Sequence, residues 1–203
     1  MRYLSGTRTY LYRNIVLQVP PEVFHPGFFT STRMLLRYLQ LMPLKGRSFL
    51  ELGAGSGLLA IYAAQQGALV TASDINPASV EILSANAGQN GVAIRVLHSD
   101  LFDSFPDAAF DLIAINPPYY RREPATPKER AWYCGEGGEY FQKLFAQLGR
   151  FLHPGTEVLM VLCSGCDLAM IGAHARRDGF TLRLLKRKAG ILEHHFIYAI
   201  EKL

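Results

Sequence analysis

The sequence predicts an α/β protein built on a mostly parallel sheet with helices on both faces. Two observations carry that expectation. Strand-like and helix-like segments alternate from residue 48 to about residue 180, and four separate strand-like segments end on a residue suited to chemistry: Gly53, Asp74, Asp100 and Asn116. In open parallel sheets, ligands sit beyond the carboxyl ends of the strands where strand order reverses. The four ends are therefore expected to converge on one site.

Each element has a local reason. Residues 1–29 read as an irregular arm with "TYLYRNIVLQV" as its best strand candidate. "TSTRMLLRYLQLM" (30–42) spaces its apolar residues for a helix, with Thr30 or Ser31 as cap. "SFLELG" (48–53) is a short apolar strand, and "SGLLAIYAAQQG" (56–67) is a helix stopped by Gly67. "ALVTASD" (68–74) is the next strand. "NPASVEILSANAGQNG" (76–91) is a helix with Pro77 at its first position and Gly91 at its end. Strands follow at 92–100 and 110–118, then a loop, a helix at about 138–151, a strand at 157–163 and a helix at 168–179. "TLRLLKRK" and "HHFIYAIEK" close the chain as two terminal strands.

The bulk composition narrows the class. At 203 residues the chain is read as one domain, 1–203, with an arm and helix over 1–44 and a ligand-binding core over 45–203. Hydrophobic content of 49% and charged content of 19% fit a soluble globular protein. A formal charge of +4 tolerates a nucleic-acid or acidic partner without requiring one. No apolar run approaches the roughly 20 residues of a membrane span, so no membrane partner is expected. The start, "MRYLSGTRTYLYRN", lacks the apolar core of a secretory signal, and three cysteines make no disulfide framework. A cytoplasmic location is the expectation.

"ELGAGSG" places Gly53, Gly55 and Gly57 in a strand-to-helix turn, where glycine permits positive φ and close approach of a ligand to the backbone. Asp74, 21 positions after Gly53, can accept both hydroxyls of a ribose. Dinucleotide sites prefer GxGxxG, whereas here the spacing is GxGxG and Glu51 stands two residues before the first glycine. A carboxylate there repels a pyrophosphate and suits a cationic ligand. Asp100, in "LHSDLF", is placed to accept from an adenine amine. Ribose, adenine and a cationic tail together describe S-adenosyl-L-methionine, with NAD the lesser reading.

"LIAINPPYYRR" (112–122) then ends a strand on an asparagine followed by two prolines and two tyrosines. Proline fixes φ and biases the preceding residue toward an extended conformation, so Asn116 and Pro117 are held extended where the strand opens into a loop. "FLELGAGSGLLAI", "ASDINPASVEILSANAGQNG", "LHSDLF" and "DLIAINPPYY" resemble successive motifs of class I S-adenosylmethionine-dependent methyltransferases. The NPPY tetrad resembles that of enzymes methylating a planar amide or exocyclic nitrogen. Within that group "VFHPGFFT" (23–30) and "WYCGEGGEYFQKL" (132–144) resemble segments of the HemK/PrmC-like glutamine methyltransferases, which modify a glutamine in peptide release factors.

The resemblance implies a Rossmann-like fold with a seven-stranded, mostly parallel sheet and an antiparallel C-terminal hairpin. It implies cofactor contacts from Glu51, Gly53, Ala54, Gly55, Gly57, Asp74, Ile75, Asp100, Leu101 and Asn116. The catalytic set it implies is Asn116, Pro117, Pro118 and Tyr119, with Thr30, Tyr119 and Arg121 on the acceptor and no metal. The short single-domain branch that works with a small activating partner protein matches this length best. The chain departs from the family at Phe29, where an acidic residue usually precedes the threonine matching Thr30. "PGFFTSTRMLL" reads equally well against "methyltransferase small" enzymes acting on guanine amines, so a nucleobase in RNA or DNA stays open as acceptor.

The chemistry of NPPY follows from delocalisation. An amide or exocyclic amine is a poor nucleophile; the Asn116 oxygen and the Pro117 carbonyl can each accept one N–H and point the nitrogen lone pair at the methyl group. Tyr119 would stack on a flat target. Arg121, Arg122, Lys128 and Arg130 crowd the following loop and suit a phosphate backbone or an acidic protein surface. "KRK" (186–188) reads as a solvated strand edge, and "CSGC" (163–166) as small buried residues at a strand end rather than a redox pair. A catalytically inactive nucleotide-binding scaffold is the rival of another class.

Overall fold

A computed structural model describes residues 6–27, 30–190 and 193–203. Phe28 and Phe29, and with them the departure from the family at Phe29, lie outside the described residues. The core is a seven-stranded sheet of β3 (Ser48–Leu52), β4 (Leu69–Asp74), β5 (Ile94–His98), β6 (Phe110–Ile115), β7 (Leu152–Cys163), β8 (Phe180–Lys188) and β9 (His195–Lys202). Their order is β5-β4-β3-β6-β7-β9-β8, parallel throughout except that β9 runs antiparallel to both β7 and β8. The chain steps outward from β3 to β5, then returns to the other side of β3 with β6. That reversal puts the ends of β3 and β6 side by side.

Residues 9–19, expected to hold one strand, fold instead into a hairpin of β1 (Arg8–Tyr12) and β2 (Ile15–Val19), separate from the main sheet. The two-residue turn between them carries Arg13 at φ 53°, a conformation arginine seldom signals in a sequence. The hairpin is fastened by α3 (Pro77–Gln89) and its C-cap Asn90. Asn86 Oδ1 accepts from Gln18 N (2.9 Å) while its Nδ2 donates to Gln18 O and Ser56 O (3.0 Å each). Asn90, one turn on, does the same with Val16 N (2.9 Å) and Val16 O (2.7 Å). Two side-chain amides thus stand in for a neighbouring strand.

Central strands β3 and β6 are buried on both faces, as parallel strands between helices must be. One face packs α1 (Thr30–Leu39), α2 (Leu58–Gln65) and α3 together with the hairpin; the other packs α4 (Glu139–Leu148) and α5 (Leu168–Arg177) around phenylalanines, with Phe102 stacked on Phe151 at 4.3 Å. Asn76 caps α3 by accepting from Ala78 N at 3.0 Å, with Pro77 at the first helical position as the sequence predicts. β7 runs longer than the expected 157–163, because Leu152–Glu157 extend it as an exposed lead-in and only Val158–Cys163 are buried. Among the described residues, no helix is long and apolar enough to cross a membrane.

Candidate active site

A cavity of about 330 Å³ opens over the carboxyl ends of β3, β4, β5 and β6, within the size range of small-molecule sites. Glu51, Gly53, Ala54, Gly55, Asp74, Ile75, Asp100, Leu101, Asn116, Pro117, Pro118 and Tyr119 all line it. Gly57, Thr30 and Arg121 do not. The arm over 1–44 contributes Glu22, Phe24, Pro26 and Thr32, so arm and core share one site.

The glycine turn is built as its sequence requires. Gly53, Gly55 and Gly57 take φ of 75°, 55° and 86°, a region that favours glycine. Gly57 stands behind the wall as the N-cap of α2, where an added Cβ would meet Leu83 Cγ at 2.9 Å. It offers the helix no capping side chain, and Glu51 takes that part: its Oε2 accepts from Ala60 N at 2.7 Å. Burial pushes the Glu51 carboxyl up to about 8, against the lowering effect of the Ala60 N–H and with the Asp74 charge adding to the rise.

Asp74 accepts from Gly55 N through Oδ2 and from Asn76 N through Oδ1, both at 2.8 Å, which holds the glycine loop to the end of β4. Burial raises its carboxyl above the usual range despite these bonds and that from Ser79. Each oxygen keeps a further lone pair for a ligand. Asp100 pairs with Lys143 of α4 at 2.6 Å, and Lys143 also binds Asp103. Desolvation of Lys143 is outweighed by these two carboxylates, and its pKa is raised. Leu101, next in the chain, is a buried leucine at φ 52°; such a conformation costs roughly 1–3 kcal/mol and here sits on the cavity wall.

Asn116 follows directly on β6. Its Nδ2 donates to Thr32 Oγ1 of α1 at 3.1 Å, and its Oδ1 is buried with no hydrogen-bond partner among the described residues. The NPPY segment behind it is clamped to residues 132–134: Tyr119 N and Tyr120 N both donate to Trp132 O (3.2 and 3.0 Å), and Cys134 N donates to Tyr120 O (3.0 Å). Tyr119 is half-buried and edge-on to Tyr120 at 4.9 Å. Burial first, then Cys163 and Tyr120, raise the Tyr119 phenol, which stays protonated and is no general base.

Three expectations for side chains meet different geometry. Thr30 is the first residue of α1 and lies off the cavity; Thr32, two residues later, lines it. Arg121 turns away, donating to Glu136 O (2.9 Å) and pairing with Asp167 (3.0 Å), the cap of α5. Arg122 lies over the Tyr133 ring at 4.8 Å, and only Arg130 of that basic loop reaches the cavity. Cys163 and Cys166 place their sulfurs 3.7 Å apart behind Tyr119, as thiols. Sequence reasoning missed Thr32, Lys143 and Tyr140, and missed the Phe24–Trp132 pair (5.1 Å) that walls the mouth. The single tryptophan of the chain, so near a predicted motif, was the available signal.

Comparison with known proteins identifies a family and a fold. The methyltransferase small domain family matches residues 15–170. A putative protein N5-glutamine methyltransferase of Methanocaldococcus jannaschii is 39% identical over 159 residues, 74% of this chain and 77% of that protein. The release factor glutamine methyltransferase of Bordetella pertussis is 36% identical over 207 residues, 96% of this chain and 72% of that protein. Among solved structures, the E. cuniculi Mtq2–Trm112 complex, described as responsible for methylation of the eRF1 translation termination factor, gives a TM-score of 0.68 at 19% identity. It covers 90% of this chain and 99% of that one.

Proposed function

We propose, because this chain belongs to the methyltransferase small domain family of class I S-adenosylmethionine-dependent methyltransferases, that it methylates the side-chain amide nitrogen of a glutamine in a peptide release factor. One observation carries the chemistry: a buried Asn116 Oδ1 without a partner among the described residues, with Pro117 next in the chain on the cavity wall. A buried acceptor left unmade costs about 1–3 kcal/mol, and a ligand N–H removes that cost. An acceptor nitrogen with two hydrogens satisfies that oxygen and the Pro117 carbonyl at once.

The residues present fit S-adenosyl-L-methionine. The glycine turn leaves the backbone at Gly53 and Gly55 open: an added Cβ would meet nothing within 4 Å at Gly53, and only ordinary contacts at 3.9 Å with Phe24 O and Val23 Cγ1 at Gly55. Asp74 and Asp100 would take the ribose and adenine, and Glu51 faces the same cavity as a carboxyl that a cation would ionise. When bound, S-adenosylmethionine supplies a methyl group activated by its sulfonium.

The chain's own groups orient the acceptor. Asn116 Oδ1 and the Pro117 carbonyl each take one amide N–H, holding the amide plane so that the nitrogen lone pair points at the methyl carbon. Both hydrogens stay on nitrogen while the new bond forms, and one leaves afterwards, so no strong base is needed. Phe24, Trp132 and Tyr119 exclude water from around the reacting nitrogen. A small partner protein, as in the complex of the E. cuniculi relative, belongs to the same reading.

The test incubates the purified protein with methyl-labelled S-adenosylmethionine and a recombinant release factor, and in parallel with an extract from cells lacking the enzyme. Label released by protease and mapped to a glutamine is the expected result. Label released by nuclease would transfer the function to a nucleobase. Asn116→Ala should abolish transfer and leave cofactor affinity within about twofold, since it removes an interaction made with the acceptor.

A further inference from the structure

We propose that Thr32 is a positioning residue for methyl transfer, its hydroxyl aiming the Asn116 carboxamide so that Oδ1 meets the acceptor nitrogen. The inference rests on the role given to Asn116 above and adds a residue to which the sequence reading gave no role in the site.

The backbone around Asn116 has little freedom: it leaves the buried strand β6 on one side and is followed by two prolines. What remains free is the side chain. The terminal torsion of asparagine is broad and roughly two-fold, so nothing intrinsic to the residue separates the carboxamide from its reversed form. Reversal would turn an NH2 group toward the N–H groups of the acceptor, donor against donor. A threonine hydroxyl both donates and accepts, so Thr32 fixes the plane of the carboxamide, and the two N–H groups of the acceptor then draw Oδ1 outward and leave Nδ2 to Thr32 Oγ1. Among the described residues, the bond from Nδ2 to Thr32 Oγ1 at 3.1 Å is the carboxamide's single hydrogen bond.

Thr32 is well placed to hold that bond. It is 6% exposed, so water competes little for the hydroxyl, and it lines the same cavity as Asn116. It is carried by α1, whose neighbouring residues Met34, Leu35 and Leu36 are buried in the core. The partner is thus set by helix packing 84 residues away in sequence rather than by a mobile loop.

Two variants separate this role from simple packing. Thr32→Val keeps the shape and the methyl group and deletes the hydroxyl; Thr32→Ser keeps the hydroxyl and deletes the methyl. A positioning role ranks Ser above Val, and a packing role ranks Val above Ser. With the release factor as acceptor, Thr32→Val is expected to lower kcat about tenfold. Its KM for the cofactor should stay within about twofold, and Thr32→Ser should recover most of kcat. In parallel, the Asn116 side-chain NH2 signals of 15N-labelled protein, assigned by their loss in Asn116→Ala, report the bond without any acceptor. Faster exchange of that NH2 in Thr32→Val, reversed in Thr32→Ser, is expected. Unchanged exchange, or a Val variant as active as wild type, overturns the proposal. If wild type leaves the release factor unmethylated, the acceptor reading fails, and the NH2 exchange alone decides for or against Thr32.

Discussion

Replacing Glu51 by glutamine should change the way stability depends on pH, and the size of the effect can be worked from the site. The carboxyl is 6% exposed and pushed up to about 8 from an ordinary 4.5, chiefly by burial. Between those values the native state keeps a proton that the unfolded chain has released, so stability falls as pH rises. At 1.36 kcal/mol per pKa unit the whole interval is worth roughly 5 kcal/mol, lost at about 1.4 kcal/mol per pH unit. The contribution is fully present below about pH 4.5 and gone above about pH 8. Glutamine keeps an oxygen for Ala60 N–H and does not titrate. Urea unfolding of wild type and Glu51→Gln at half-unit steps from pH 5 to 8.5 isolates the group, because every other titration, Asp74 included, occurs in both proteins. The wild type should lose ground to the variant along that slope and then level off. Parallel curves over the whole range would refute the reasoning, since they would mean that Glu51 is already ionised in the native state.

Other perturbations test separate links. Gly57→Ala forces a Cβ onto a residue at φ 86° and within 2.9 Å of Leu83 Cγ, and should cost roughly 1–3 kcal/mol in denaturant unfolding. Asn86→Ala removes three bonds from a fully buried amide and should cost about 3 kcal/mol by the same measurement, with amide exchange rising first at Gln18. Lys143→Met breaks pairs with Asp100 and Asp103 whose side chains are 45% and 49% exposed, so stability should fall by less than about 1 kcal/mol. The Asp103 carboxyl, held low mainly by that lysine, should rise toward its ordinary value in an NMR titration.

The fold and most of the site were legible because their signals are local. A strand that ends on glycine, aspartate or asparagine, followed by a helix, states its own geometry, and four such ends fix a crevice once the sheet is parallel. What stayed hidden depends on pairing across long separations. Nothing near Asp100 announces Lys143, 43 residues on, and nothing near Asn116 announces Thr32. Arg121 illustrates the same limit in reverse: its place beside NPPY suggested the acceptor, yet Asp167, 46 residues downstream, draws it away. The hairpin was missed because the first residue of its Arg13–Asn14 turn is an arginine at positive φ, and the asparagine that marks such turns stands only at the second position.

Glu51 shows how one side chain can serve both the fold and a ligand. Position 57 must be glycine, since its φ is positive and any Cβ would strike Leu83. A glycine N-cap has no side chain, so α2 begins with an unsatisfied N–H at Ala60 inside a buried turn. The acceptor has to come from elsewhere, and Glu51, next to last in strand β3, supplies it from its side chain. A carboxylate there satisfies the helix, but burial beside Asp74 raises its pKa until much of it is protonated near neutrality. A cationic ligand in the adjoining cavity reverses that balance by favouring the ionised form. The same side chain that closes the helix in the free protein is then a charge partner for the ligand, and binding should release a proton below about pH 8. Calorimetry of S-adenosylmethionine binding at pH 7 in buffers of different ionisation enthalpy measures that proton directly; a binding enthalpy independent of buffer would break the connection between the cap and the cofactor.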